Sequence, residues 1–224
     1  MKYKGVIFDL DGVICHTDVF HYKAWKALAD KLGIYFDEEI NNRLRGVSRM
    51  ESLEIVLERY SGTPLTEQEK TDIATEKNEI YKASLMQMDE TYLTDNVMNT
   101  LKTLRENGVK LAIGSSSKNA ELILERIGLG NFFDAIADGN MIKNSKPHPE
   151  VFLLAAEKIA LPPADCLVIE DAKAGIEAAV AGKFHSVGMG DAASDDSATY
   201  HIDKFSEMSP VVLGDTQTEN LSAK

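Results

Sequence analysis

Asp9 and Asp11 stand one residue apart at the end of the apolar run Gly5-Val6-Ile7-Phe8, with Gly12 directly behind them. A short unbroken Val/Ile/Phe run reads as a strand covered on both faces, as in a parallel sheet. Ligands of such sheets gather at the carboxyl ends of the strands. The spacing therefore places Asp9 at a strand tip and Asp11 in the turn beyond it, where Gly12 accepts whatever backbone angle the turn needs. Two carboxylates there can share a hard cation such as Mg2+, and one of them can attack phosphorus. Taken alone, Asp-x-Asp-Gly reads as an ordinary solvated turn.

Three later segments change that reading. Val109 to Ser115 reads as an apolar strand that ends in the hydroxyls Ser115, Ser116 and Ser117 and opens a helix at Lys118-Asn119. Free N–H groups at such a junction bind anions, although serine is also a routine N-cap. Lys146 directly precedes Pro147, which restricts the lysine backbone and starts a helix; Lys-Pro is also a common surface turn. The run Cys166-Leu167-Val168-Ile169 then drives a second apolar strand into Glu170-Asp171. Carboxylates held at a strand end are costly unless a cation compensates them. Each segment is ambiguous by itself. Together they set two pairs of acids, a hydroxyl and amide cluster and one fixed lysine at the carboxyl ends of parallel strands.

Elements with the right periodicity exist to hold these groups. Tyr22, Ala24, Trp25, Leu28, Ala29 and Leu32 mark an amphipathic helix closed by Gly33. Segments 37–44, 49–60 and 66–86 continue helical, without a convincing strand. From residue 95 onward helix and strand alternate: helix 95–107, strand 109–115, helix 118–127, strand 134–137, helix 149–160, strand 166–170, helix 173–181 and strand 184–188. That order predicts an α/β fold, a Rossmann-like parallel sheet core with helices on both faces and an inserted all-helical cap. The boundaries read as a core of 1–16 and 87–224 and a cap of 17–86. The polar stretch after Pro210 reads as a fraying tail.

The chain has 224 residues and a net charge of −12, which argues against nucleic acid or an anionic membrane surface as a partner. Cys15 and Cys166 form no Cys-x-x-Cys pair and lack neighbouring histidines, which fits reduced thiols and no zinc site. No basic leader with an apolar stretch opens the chain, and no apolar run suffices to span a bilayer. The expectation is a cytoplasmic protein; oligomeric state is not legible, and a monomer is taken as the working expectation.

The motifs Asp9-Leu10-Asp11-Gly12, Ser115, Lys146-Pro147 and Glu170-Asp171 resemble, in order, the four signatures of the haloacid dehalogenase superfamily of phosphotransferases. The resemblance implies that Asp9 is the nucleophile that becomes phosphorylated and Asp11 the general acid and base. It implies a metal site of Asp9, Asp11 (through its backbone carbonyl), Glu170 and Asp171 for Mg2+, or Mn2+. It also implies that Ser115 and Lys146 neutralise the transferring phosphoryl group.

The inserted lobe narrows the resemblance. Arg45-Gly46-Val47-Ser48-Arg49 and Ser52 form a turn and helix start with two cations, which by itself reads as a capped helix bearing exposed arginines. This loop is similar to that of the β-phosphoglucomutase branch of the superfamily, as are Thr17, His21, Trp25, Lys77-Asn78 and the run Ser115, Ser116, Ser117, Lys118 and Asn119. The branch implies a sugar-phosphate substrate, interconversion of β-D-glucose 1-phosphate and glucose 6-phosphate, and β-glucose 1,6-bisphosphate as primer and intermediate. In it the 45–49 loop grips the distal phosphate, and His21 and Lys77 hold the sugar or couple cap closure to acid–base alignment; His21 is alternatively an ordinary, partly buried helix residue. Trp25 stacks on the sugar or belongs to the cap core. The chain departs from the branch at Arg45, where lysine is expected, at His16, where an acid is expected, and at Leu93-Thr94-Asp95-Asn96, which lacks a Pro-Gly return. A sugar-phosphate phosphatase using the same aspartates, and a binding protein that has lost the chemistry, remain as alternatives.

Overall fold

The computed structural model describes residues 1–214; the expected fraying of Thr216 to Asn220 lies outside the described residues. Six parallel strands, β1 Gly5–Phe8, β2 Lys110–Gly114, β3 Ala135–Ala137, β4 Cys166–Glu170, β5 His185–Gly188 and β6 Tyr200–His201, form one sheet in the order β3-β2-β1-β4-β5-β6. Alternation within β1 splits the core into two layers. Val6 and Phe8 join Leu111, Ile113, Leu167 and Ile169 on one face, covered by α5 (Asp95–Glu106), α6 (Ala120–Arg126) and α9 (Met208–Leu213). Ile7 joins Ala112 and Val168 on the other face, packed on Val151, Phe152 and Ala155 of α7 (Glu150–Lys158) and Ala178 and Ala179 of α8 (Lys173–Ala181). The strand order turns back between β1 and β4, which opens a crevice at their carboxyl ends. Among the described residues no helix is long and apolar enough to cross a membrane.

Between β1 and α5 the chain makes α1 (Asp18–Lys31), α2 (Glu38–Asn42), α3 (Arg49–Leu57) and α4 (Glu67–Leu85). Local chemistry sets their ends. Gly33, just past α1, takes φ +69, a left-handed angle that stops the helix. Ser48 with Glu51 and Thr66 with Glu69 form reciprocal capping boxes that start α3 and α4. Trp25, Leu28, Ile34, Phe36, Leu53 and Val56 make a separate helical cluster, in which burial of each Leu or Ile contributes about 1.5–3 kcal/mol. Phe20 and Ala24 of α1, and Tyr81 and Leu85 of α4, instead join the large sheet-side cluster. The two long helices are thus rods rooted in the core at one end and carrying the helical lobe at the other.

Several expected boundaries shift. The helix expected over 118–127 starts at Ala120, and that expected over 49–60 stops at Leu57. Pro147 does not start a helix: the Lys146–Pro147 peptide is cis, and α7 begins at Glu150 after Pro149. The short strand β6 is absent from the expected elements, because two residues carry no periodicity. The expected tail also begins too early, since Val211 and Val212 are buried in α9.

Candidate active site

Asp9 follows β1, and its N–H donates to the Ile169 carbonyl of β4, which fixes it at the crevice. Lys146 is fully buried; its Nζ lies 2.5 Å from Asp9 Oδ1 and 2.6 Å from Glu170 Oε1. The second Glu170 oxygen accepts the N–H groups of Asp171 and Ala172 at 2.9 and 3.0 Å. One oxygen each from Asp9, Glu170 and Asp171 lies within 4.8 Å of the others. This buried set is all carboxylate, with no soft donor, and so suits a hard cation. Two glycines make room for it. A Cβ on Gly12, which takes φ +86, would meet Asp171 Oδ2 at 2.0 Å, and one on Gly175 would meet the Glu170 carboxyl at 1.9 Å.

Burial dominates the ionisation of this cluster. It raises Asp9 well above the ordinary carboxylate range against the pull of Lys146, with Glu170, Asp11 and Asp171 adding repulsion. Burial and the neighbouring Glu170 push Asp171 up to about 7, against the pull of Arg45 and Lys146. Lys146 moves the other way, because Asp9 and Glu170 together outweigh its burial and hold it protonated. The lysine therefore offsets part of a repulsion that a divalent cation would offset more fully.

Asp11 faces differently. Its carboxylate accepts the hydroxyl of Thr17, which is wholly buried at the root of α1, and it does not join the three-acid cluster. Burial raises its pKa and the Thr17 bond partly lowers it. On the neighbouring tip, Ser115 Oγ accepts from Ser117 N at 3.1 Å and Ser117 Oγ accepts from Asn119 N at 3.2 Å. These serines form a nested turn ahead of α6 and do not cap the helix, which corrects the expected junction. Ser116 Oγ is buried without a partner.

The cap closes the other side of the crevice. Arg49 donates to Asn78 Oδ1 at 2.8 Å, and Asn119 Nδ2 donates to the same oxygen at 3.0 Å, joining cap to core. Lys77 Nζ lies 3.0 Å from His21 Nδ1, 4.9 Å above the Trp25 ring and 4.6 Å above the Tyr81 ring. Burial, with Arg49 nearby, lowers Lys77 to about 7, and burial with Lys77 keeps His21 neutral. Trp25 is 2% exposed, belongs to the cap cluster and has Lys77 over its ring; it therefore serves as cap core more than as an open stacking platform. Arg45 is bound by acids, Asp18 and Asp191, and lies 3.7 Å from Asp171.

One cavity takes in Asp9, Asp11, Glu170, Asp171, Lys146, the 45–49 loop, Ser52, His21, Trp25, Lys77 and the run 115–119. Thr17 alone among the expected site residues lies behind it. Sequence reasoning missed Asp18, Tyr81, Ser145 and Gly139, which also line the cavity. Tyr81 was findable, since it lies one helical turn beyond Lys77 and so shares its face. Asp18, Ser145 and Gly139 carry no local signal.

A parallel sheet with acids at the tips of β1 and β4, a lysine between them and a helical lobe above defines a phosphoryl-transfer or phosphate-hydrolysis enzyme of the haloacid dehalogenase type. The sequence model for haloacid dehalogenase-like hydrolases matches residues 3–183, and the chain belongs to that family. It is 40% identical over 189 residues to the β-phosphoglucomutase of Bacillus subtilis, covering 84% of this chain and 83% of that protein. It is 30% identical over 198 residues to the phosphorylated carbohydrates phosphatase of Thermotoga maritima, covering 84% of this chain and 89% of the relative. Its fold superposes on the crystal structure of a β-phosphoglucomutase from Clostridium difficile with a TM-score of 0.88 at 37% identity, covering 97% of this chain and 98% of that one.

Proposed function

We propose that this chain is a β-phosphoglucomutase, interconverting β-D-glucose 1-phosphate and glucose 6-phosphate through β-glucose 1,6-bisphosphate. The observation that carries the reading is that one cavity holds two separate sets of phosphate donors. Lys146 and the Ser115 turn stand beside Asp9, and Arg49 with Lys118, Asn119 and Asn78 forms a second set that bridges cap and core. A substrate with a single phosphate needs only the first set. A substrate phosphorylated at both ends uses both.

In this reading an Asp9 oxygen attacks the phosphorus of the bisphosphate while its bond to the sugar oxygen breaks, and Asp11 gives that oxygen its proton. A β-glucose 1-phosphate then presents its 6-hydroxyl to the aspartyl phosphate; Asp11 removes the proton from that hydroxyl as its oxygen bonds phosphorus and the Asp9 oxygen leaves, and the 1,6-bisphosphate so formed turns end for end before its 1-phosphoryl group returns to Asp9. Asp9, Glu170 and Asp171, with the Asp11 carbonyl, would hold Mg2+, which would supply the charge that lets a carboxylate approach a phosphoryl dianion. Lys146 and Ser115 neutralise the oxygens of the transferring group, and Arg49 holds the distal phosphate. Residues 17–86 act as the cap that excludes water. The reading takes the enzyme as a cytoplasmic monomer with no nucleic-acid or membrane partner, which its net charge of −12 supports.

The deciding experiment is conversion of β- and of α-glucose 1-phosphate with Mg2+, with and without the 1,6-bisphosphate primer. Primer-dependent formation of glucose 6-phosphate from the β anomer alone is the expected result. Release of inorganic phosphate without isomerisation would favour a sugar-phosphate phosphatase, as the Thermotoga maritima relative is named.

A further inference from the structure

Asp191 lies in the short 3-10 turn Gly190–Ser194, beyond β5 and outside the residues that line the cavity. Its carboxylate nevertheless accepts one arm of the Arg45 guanidinium, while the other arm goes to Asp18 at the start of α1. That second arm also stands 3.7 Å from Asp171 Oδ2. The turn itself is fastened to the acid cluster, since Ala192 N donates to the Asp171 carbonyl at 3.0 Å. Arg45 thus joins three pieces: the cap loop that carries it, the root of a cap helix, and the core turn packed on Asp171.

Arginine suits this task in a way lysine does not. A planar guanidinium presents donors in a fixed fork and binds two carboxylates at once, whereas an ammonium is a point charge on a flexible stem. Arg45 is 26% exposed, so its pairs are partly shielded, although Asp191 at 69% exposure remains open to salt.

We infer that Asp191 is a positioning residue that acts through Arg45 to seat the cap loop on the core, and so limits the access of water to the phosphorylated Asp9. The consequence for water rests on the phosphoryl-transfer reading above; the seating does not.

The test uses the full chain as Asp191→Asn, Arg45→Lys and the double variant. In the first arm, phosphoenzyme formed with acetyl phosphate and Mg2+ is followed as it hydrolyses. Each single variant hydrolyses about twofold to fivefold faster than wild type, the double variant no faster than the singles, and added NaCl accelerates wild type more than Asp191→Asn. A merely structural role would lower thermal stability without changing that salt response. Equal hydrolysis rates and equal salt responses in wild type and Asp191→Asn overturn the inference. The second arm is small-angle scattering of the unliganded proteins, in which Asp191→Asn at low salt matches wild type at high salt, with a larger radius of gyration than wild type at low salt. Superimposable profiles under all conditions overturn the seating itself. If wild type forms no phosphoenzyme, the functional reading fails, and the scattering arm still decides whether Asp191 seats the cap.

Discussion

Replacing Lys146 with methionine keeps the bulk of the side chain and deletes its charge. Lys146 Nζ lies 2.5 Å from Asp9 and 2.6 Å from Glu170, and both it and Glu170 are 1% exposed. Its loss leaves two buried carboxylates facing each other with Asp171 beside them. Removing one partner of a buried pair destabilises by about 3–5 kcal/mol, a large part of the ~5–15 kcal/mol that holds a domain folded. For a chain of this size that lowers Tm by roughly 6–20 °C.

The pH dependence carries a definite sign. Without the ammonium, the folded-state pKa values of Asp9 and Asp171 rise further above their unfolded values. The native state then binds more protons than the unfolded one across that window, and stability falls as pH rises through it. Urea unfolding followed by circular dichroism therefore shows the largest deficit at pH 8 and a smaller one at pH 5.5, where Asp171, already pushed up to about 7, is protonated. Millimolar Mg2+ recovers part of the loss at pH 8 by taking over the role of the cation. A deficit below about 1 kcal/mol that ignores both pH and Mg2+ would refute the idea that Lys146 offsets the acid cluster.

Asp11→Asn lowers turnover by about 10²–10⁴-fold through loss of the proton donor, while Mg2+ affinity, read by calorimetry, falls less than in Asp171→Ala; equal losses of affinity would contradict the split between the Thr17-bound acid and the three-acid cluster. Arg49→Ala cuts productive turnover of the 1,6-bisphosphate about tenfold to a hundredfold, the value of a charge-assisted grip, and leaves acetyl phosphate hydrolysis nearly unchanged. Parallel losses in both assays would make Arg49 a support for the near site. Lys77→Met stabilises the protein most below pH 7. Burial lowers the folded pKa of Lys77 to about 7, so wild type carries the cost of a buried charge there and sheds it as pH rises toward the unfolded value near ~10.4. Thermal melts at pH 6 and 9.5 check this, and a Tm gap that stays constant would count against it.

What could be read before the structure was whatever depends on short stretches of chain. The buried strands β1 and β4 end in acids, and strand burial together with the rule that ligands gather at carboxyl ends was enough to place Asp9, Glu170 and Asp171 in one crevice. Gly12 and Gly33 announced left-handed backbone, and both adopt it. The capping box of Ser48 and Glu51 is spelled out within four residues. Helix boundaries near the serine turn and Pro147 were less accessible. There the loop geometry is decided by hydrogen bonds such as Ser117 N to Ser115 Oγ, which replace the helical ones the local pattern suggests.

Partners distant in sequence left no such trace. Arg45 reads as a solvated or phosphate-binding cation when only its neighbours are considered, and nothing near it points to Asp191, 146 residues away. Asn78 likewise gains its role only because Arg49 and Asn119 converge on a single oxygen from different elements. The departure from lysine at position 45 was therefore visible as a letter but not as a function. Its meaning depends on two acids that the fold brings to opposite arms of one guanidinium. Chemistry confined to one strand tip is written in adjacent residues, whereas the fit between cap and core is written only in the assembled crevice.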